Sequence, residues 1–145
     1  MRRNWYLIGT LLREIEEDHL WQFLEELKAK QSEAEREYLD QQEAGLPVSE
    51  KMPERVYDHA IRHLELLADA GYIKNFDLRQ TVDGRYTIIQ RDVRITMSGY
   101  DLKEVINNQK LWSRIAGKAK DIGVAVTCEF IKAMIPEAIK MLIDE

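Results

Sequence analysis

Apolar residues recur every three to four positions through Leu7, Ile8, Leu11, Leu12 and Ile15, the spacing that lines one face of a helix. Asn4 stands where a side-chain oxygen caps such a helix, which is expected to run to about Glu17. A second group, Leu20, Trp21, Phe23, Leu24 and Leu27, gives way to a stretch rich in helix formers with few apolar anchors. The pattern predicts a helix over 19–44 whose second half is solvated, broken by Gly45 and Pro47 before a candidate cap at Ser49. From Pro53 a third helix is expected to reach Ala70 and stop at Gly71. On a 100° wheel its core face carries Val56, Ala60, His63, Leu67 and Ala70.

The period then changes from 3.6 to 2. Residues 72–82 and 85–95 alternate as strands around Asp83-Gly84, a pair suited to a two-residue hairpin turn. Pairing Val82 with Arg85 places Tyr72, Phe76, Leu78, Ile89, Val93 and Ile95 on one side, and Asn75, Asp77, Arg79, Gln90, Asp92 and Arg94 on the other. Thr96 or Ser98 caps a further helix through Asn107, Leu111-Trp112 opens another that ends near Gly123, and a last one spans about 125–143 with Pro136 inside it. The expected fold is mainly α with one β-hairpin (α+β). Its element order is that of a winged-helix-like domain with a long N-terminal helical insert and appended C-terminal helices. We read a single domain, 1–145: N-terminal helices over 1–48, a winged-helix core over 49–108, and C-terminal helices over 109–145.

Composition agrees with one folded domain: 145 residues, 45% hydrophobic and 32% charged. No apolar run is long enough to cross a membrane, because Glu129, Lys132, Glu137 and Lys140 interrupt the greasiest stretch. A lone Cys128 and the lack of a signal-peptide pattern lead us to expect a reducing, cytoplasmic setting. The net charge of −5 is concentrated at the start, where residues 1–53 carry 7 basic and 12 acidic side chains. Such a chain binds phosphate only through a local basic face.

Four strings stand together in order: MRRNWYLIGTLLREIEE, HLELLADAGYI, ITMSGYDLKEVINN and LWSRI. Their order and spacing resemble domain-of-unknown-function family 2513, small winged-helix-like proteins of phages and prophages. His63, Leu64, Leu67, Ala70, Gly71, Gly99 and Trp112 match the pattern, and most of these residue types suit structural roles. The resemblance implies a mobile-element origin and carries no catalytic residues. Where the family has a second glycine-adjacent His this chain has Tyr100, which removes a shared His-based site.

Catalytic and metal chemistry find little support. His59 and His63 stand four apart, a spacing used to grip zinc, but Ala60 occupies the place of the water-activating Glu, and no third ligand is near in sequence. We therefore expect His63 to point into the core with His59 flanking it, as packed or hydrogen-bonded histidines, with no metal and no cofactor. Cys128 reads as a buried thiol, no glycine-rich phosphate loop occurs, and pairs such as Glu16-Glu17 and Glu25-Glu26 belong to solvated faces. The chain is expected not to be an enzyme.

Two binding readings remain. For nucleic acid, the candidate contacts are Arg55, Arg62, Arg79, Arg85, Arg91 and Arg94. The outer face of the third helix, however, presents Glu54, Arg55, Asp58, Arg62, Glu65 and Asp69, with Asp58–Arg62 and Arg62–Glu65 spaced to neutralise each other. Charge thus disfavours DNA, and a DNA-binding transcriptional regulator using the wing is the alternative. The leading expectation is a phage-type interaction protein that binds another protein, a host or defence factor. It is expected to form a homodimer through Trp112, Phe130, Met134 and Leu142, leaving the acidic 28–44 helix for the partner.

Overall fold

The computed structural model describes residues 3–45, 54–90 and 92–143, excepting the side chains of Tyr86, Ile89, Gln90, Cys128, Ala138, Ile139 and 141–143. Among these residues the chain forms six helices and two small antiparallel ladders, a mainly helical α+β fold. The expected breaks at Pro47 and Ser49 and the expected helix start at Pro53 lie outside the described residues.

Helix α1 (Trp5–Glu16) begins where the Asn4 side chain accepts from the backbone N–H of Leu7, and it buries Ile8, Leu11, Leu12 and Ile15 as its periodicity predicts. It is the central strut, touched by α2 (Leu20–Glu43), α3 (Val56–Asp69) and α4 (Met97–Asn107). Helix α4 in turn packs on α5 (Gln109–Ile122) and α6 (Cys128–Ile143), which pair with each other. The buried set Ile8, Leu11, Leu12, Ile61, Leu64, Leu67, Leu102, Ile115 and Ile131 draws on all these helices except α2, which adds Leu20 and Leu24. Fully burying each such side chain contributes about 1.5–3 kcal/mol relative to leaving it exposed. Lys103 of α4 makes an ion pair with Glu16 of α1, fastening the end of that contact.

Caps account for most of the remaining boundaries. Thr96 accepts from Gly99 N–H at the start of α4, and its hydroxyl donates to the Gly71 carbonyl. Asn108 caps α5, which therefore opens two residues before Leu111, and Thr127 accepts from Phe130 N–H at the start of α6, after the expected residue 125. Gly71 and Gly123 follow their helices with φ of +81° and +75°, the left-handed turn that glycine makes without strain. Ala70, assigned above to the core face, is exposed because α3 ends at Asp69 and Ala70 belongs to the cap.

The hairpin differs from the expected one in register and in continuity. Strand β2 (Asp77–Gln80) pairs with β3 (Tyr86–Gln90) as Leu78↔Ile88, Arg79↔Thr87 and Gln80↔Tyr86, one residue away from the register built on Val82–Arg85. The connection is a three-residue loop: Gly84 N–H donates to the Thr81 carbonyl, Thr81 N–H to the Arg85 carbonyl, and Gly84 takes a φ of +85°. A one-residue change in register exchanges the faces, so Ile88, half-buried, opposes Leu78 where Ile89 was expected. A bulge between Asp77 and Leu78 lies inside this ladder, whose innermost pair, Asp77↔Gln90, keeps the register built on Val82–Arg85; in the inner ladder β1 (Ile73–Lys74) pairs with β4 (Arg94–Ile95). Asn75, at φ +63°, turns the chain between the two.

Candidate functional site

Two grooves flank the start of α3. The first, about 500 Å³, runs along the beginning of α1 and is lined by Trp5, Leu7, Leu27 and Val56, with Tyr6, Arg3, Glu54 and His59 exposed around it. Tyr6 is 81% exposed, and Trp5 beside it tilts against Trp112 of α5 with ring centroids 5.4 Å apart. At the floor lies His63, 1% exposed. Its Nε2 accepts from Asn4 N–H at 3.0 Å, so Nδ1 carries the proton and donates to the His59 carbonyl at 2.6 Å. Burial, only partly offset by the carbonyl contact, holds the His63 pKa below its usual 6.5, with the neighbouring His59 adding to the depression. With both ring nitrogens engaged to backbone and His59 exposed, the pair is a structural clamp with no geometry for joint ligation.

The second groove, about 520 Å³, lies between the middle of α2, the first turns of α3 and the tip of the hairpin, and its walls include Lys28, Gln31, Arg55, Asp58, Arg62 and Arg85. No Ser, Thr, Asp or Asn precedes Val56 to cap α3; instead Gln31 reaches across from α2, and its Oε1 accepts from Tyr57 N–H at 2.9 Å and Asp58 N–H at 3.2 Å. Arg55 Nε lies 2.8 Å from Asp58 and 3.6 Å from Glu35, and the Lys28 ammonium sits 5.9 Å from the centre of the Tyr57 ring. The expected Asp58–Arg62 and Arg62–Glu65 pairs are not formed: Asp58 is taken by Arg55, and Arg62 makes no ion pair among the described residues. The third helix is therefore less self-neutralised than its charge spacing implies.

Of the six candidate nucleic-acid contacts, Arg55, Arg62 and Arg85 meet at this groove. Arg79 is exposed on β2, Arg94 pairs with Asp92 beside the inner ladder, and Arg91 lies outside the described residues. The four candidate dimer contacts do not form one exposed patch. Trp112 packs against Trp5 within the chain, and Phe130 and Met134 are half-buried against the core. The Leu142 side chain lies outside the described residues. Sequence reasoning missed Lys28 and Gln31; with the start of the helix read at Pro53 behind a candidate cap at Ser49, nothing in the sequence showed that a start at Val56 would need an acceptor from elsewhere. It also missed the polar stripe of α2, where half-buried Gln31, Ala34, Glu35 and Tyr38 recur at helical spacing and two of them engage the start of α3.

Glu14, Glu17 and His19 bring ligand atoms together at the α1–α2 turn, two of the three being exposed, with no feature beyond proximity to mark a metal site. Among the described residues no helix is long and apolar enough to cross a membrane. Compared with protein-family models, curated proteins and solved structures, the chain matches none.

Proposed function

We propose that this chain is a non-enzymatic, winged-helix-like interaction protein of the phage type, acting by binding another protein and self-associating through 109–143. In this reading α3, the hairpin and α4 form the winged-helix core with β2–β3 as the wing, α1 and α2 are the N-terminal helices that precede it, and α5 and α6 are appended after it. The observation that carries it is the apolar groove at the start of α1, where Trp5, Leu7, Leu27 and Val56 line a concave surface with Tyr6 standing largely exposed beside it. Contiguous apolar surface of this kind, rimmed by polar groups, is characteristic of protein-binding sites, and aromatic anchors dominate their energetics. The test is capture from host lysate on immobilised protein, with the retained partner identified and its binding repeated with purified components. Tyr6→Asp is expected to abolish binding while leaving the circular dichroism unchanged, since Tyr6 contributes little to the core. Equal retention by the variant would count against the groove.

The competing reading, a DNA-binding regulator, is favoured by the meeting of Arg55, Arg62 and Arg85 at the second groove. Against it stand Glu65 and Asp69, exposed on the same helix, Glu54, exposed just before it, and an overall charge of −5. Filter binding to random duplex separates the two: we expect affinity weaker than the roughly 10⁻⁴–10⁻⁶ M of ordinary non-specific binders near physiological salt. Sub-micromolar, sequence-selective binding lost on Arg62→Ala would reverse the ranking.

A further inference from the structure

We infer that the groove between α2, α3 and the hairpin tip is a docking site for an acidic segment of a partner protein, whose carboxylates are received by Lys28, Arg62 and Gln31. The inference rests on the protein-binding reading and adds the chemistry of what is bound.

The argument is one of donors and acceptors. Both partners of the Gln31 oxygen are backbone N–H groups, which fixes the amide orientation and leaves Nε2, with its two hydrogens, as the group available on the wall that Gln31 lines. The Asp58 carboxylate is held at 2.8 Å by Arg55. The strongest acceptors of the groove are thus already used, while the Arg62 guanidinium has no carboxylate among the described residues and the Lys28 ammonium rests over the ring of Tyr57. A concave surface with unmatched donors and two cations accepts anions, and planar guanidinium suits a carboxylate in two-point contact.

Which anion follows from the surroundings. Glu35 stands 3.6 Å from Arg55 Nε and Asp83 3.4 Å from Arg85 Nε, so negative charge borders the groove on the α2 side and at the hairpin tip. A nucleic-acid duplex presents a charge about every 1.7 Å of its axis and would meet repulsion on leaving the cationic stretch. A peptide carrying two or three carboxylates fits the same stretch without extending into those acids. The two cations, Lys28 and Arg62, are exposed, so each charge pair contributes little alone and binding is expected to be strongly salt-dependent.

Fluorescence anisotropy with a labelled six-residue peptide of alternating Glu and Gly, which carries three side-chain carboxylates, tests this on the full chain. Binding is expected at low salt, with affinity reduced about tenfold or more by Lys28→Gln combined with Arg62→Gln, and unchanged by Arg94→Gln, a cation already paired outside the groove. Circular dichroism of both variants separates lost contacts from lost fold. The same loss with Arg94→Gln, or none with the double variant, overturns the site. No binding of the peptide overturns it too, while leaving the apolar groove of α1 untouched. If a ten-nucleotide oligothymidylate displaces the peptide and depends more strongly on Lys28 and Arg62, the acidic-segment assignment and the protein-binding reading both fall.

Discussion

The backbone N–H of Asn4 donates to Nε2 of His63, 59 positions away, so the residue that caps α1 is itself held by a buried imidazole of α3. Protonating that nitrogen removes the acceptor and places a charge in the core. His63 has its pKa lowered on folding, so the unfolded chain binds the proton more readily, and stability rises with pH where that is so. The contribution is complete above the unfolded value near 6.5 and is lost as pH falls through the folded one. Urea unfolding at pH 7.5, 6.0 and 5.0 is expected to show a fall that His63→Gln flattens. An equally steep fall in the variant would place the titrating group elsewhere.

Gln31 stabilises α3 without belonging to it. Gln31→Ala is expected to lower stability by about 1 kcal/mol, the usual cost of losing a helix cap, and Gln31→Glu to retain most of it by keeping an acceptor. The midpoint of urea unfolding measures both, and an unaffected alanine variant would mean that water replaces the cap at no cost.

Two helical glycines behave oppositely. A Cβ at Gly99 would lie 2.0 Å from the carbonyl oxygen of Tyr72 and 2.6 Å from Ile95, so Gly99→Ala forces α4 away from β1 and is expected to cost about 2–3 kcal/mol. Gly117, inside α5, has nothing within 4 Å of that position, and Gly117→Ala is expected to stabilise by about 0.5–1 kcal/mol. Thermal melts of the two variants should move in opposite directions; a shared direction would contradict the close approach at Gly99.

The proposed homodimer predicts a mass twice the 17.0 kDa of one chain by light scattering at tens of micromolar. With Trp112 packed on Trp5 and Phe130 and Met134 half-buried, the association is expected to depend on exposed positions of the same helices. Ala133→Glu on α6 should reduce it to one chain, and a dimer that survives the substitution would have its interface elsewhere.

What the sequence made legible is what local chemistry decides. The apolar period of α1, the cap at Asn4, the stop at Gly71 and the burial of His63 were all readable, because each depends on residues within a turn or two of one another. The hairpin was legible as a hairpin but not in register: Asp83-Gly84 suits a two-residue turn, yet Thr81 closes a longer loop with hydrogen bonds to both Asp83 and Arg85. The second groove was out of reach, since Lys28 and Gln31 meet Arg62 and Arg85 only after α2 packs on α3. The charge pairing of α3 failed for a related reason, because Arg55 competes for Asp58 from the turn that precedes the helix.

The division of the hairpin at Asn75 bears on how this protein can diversify. The inner ladder is tied to the helices through Thr96 and Tyr72, whereas the outer ladder meets the second groove through Gln80, Gly84 and Arg85 near its tip. Two residues added to each outer strand would lengthen the arm by about 7 Å while keeping every side chain on its present face. Such an insertion leaves the inner ladder and its helical contacts as they are. The hairpin wall of the second groove is thereby uncoupled from the stability of the fold, so a change in hairpin length alters that wall and leaves the core contacts untouched.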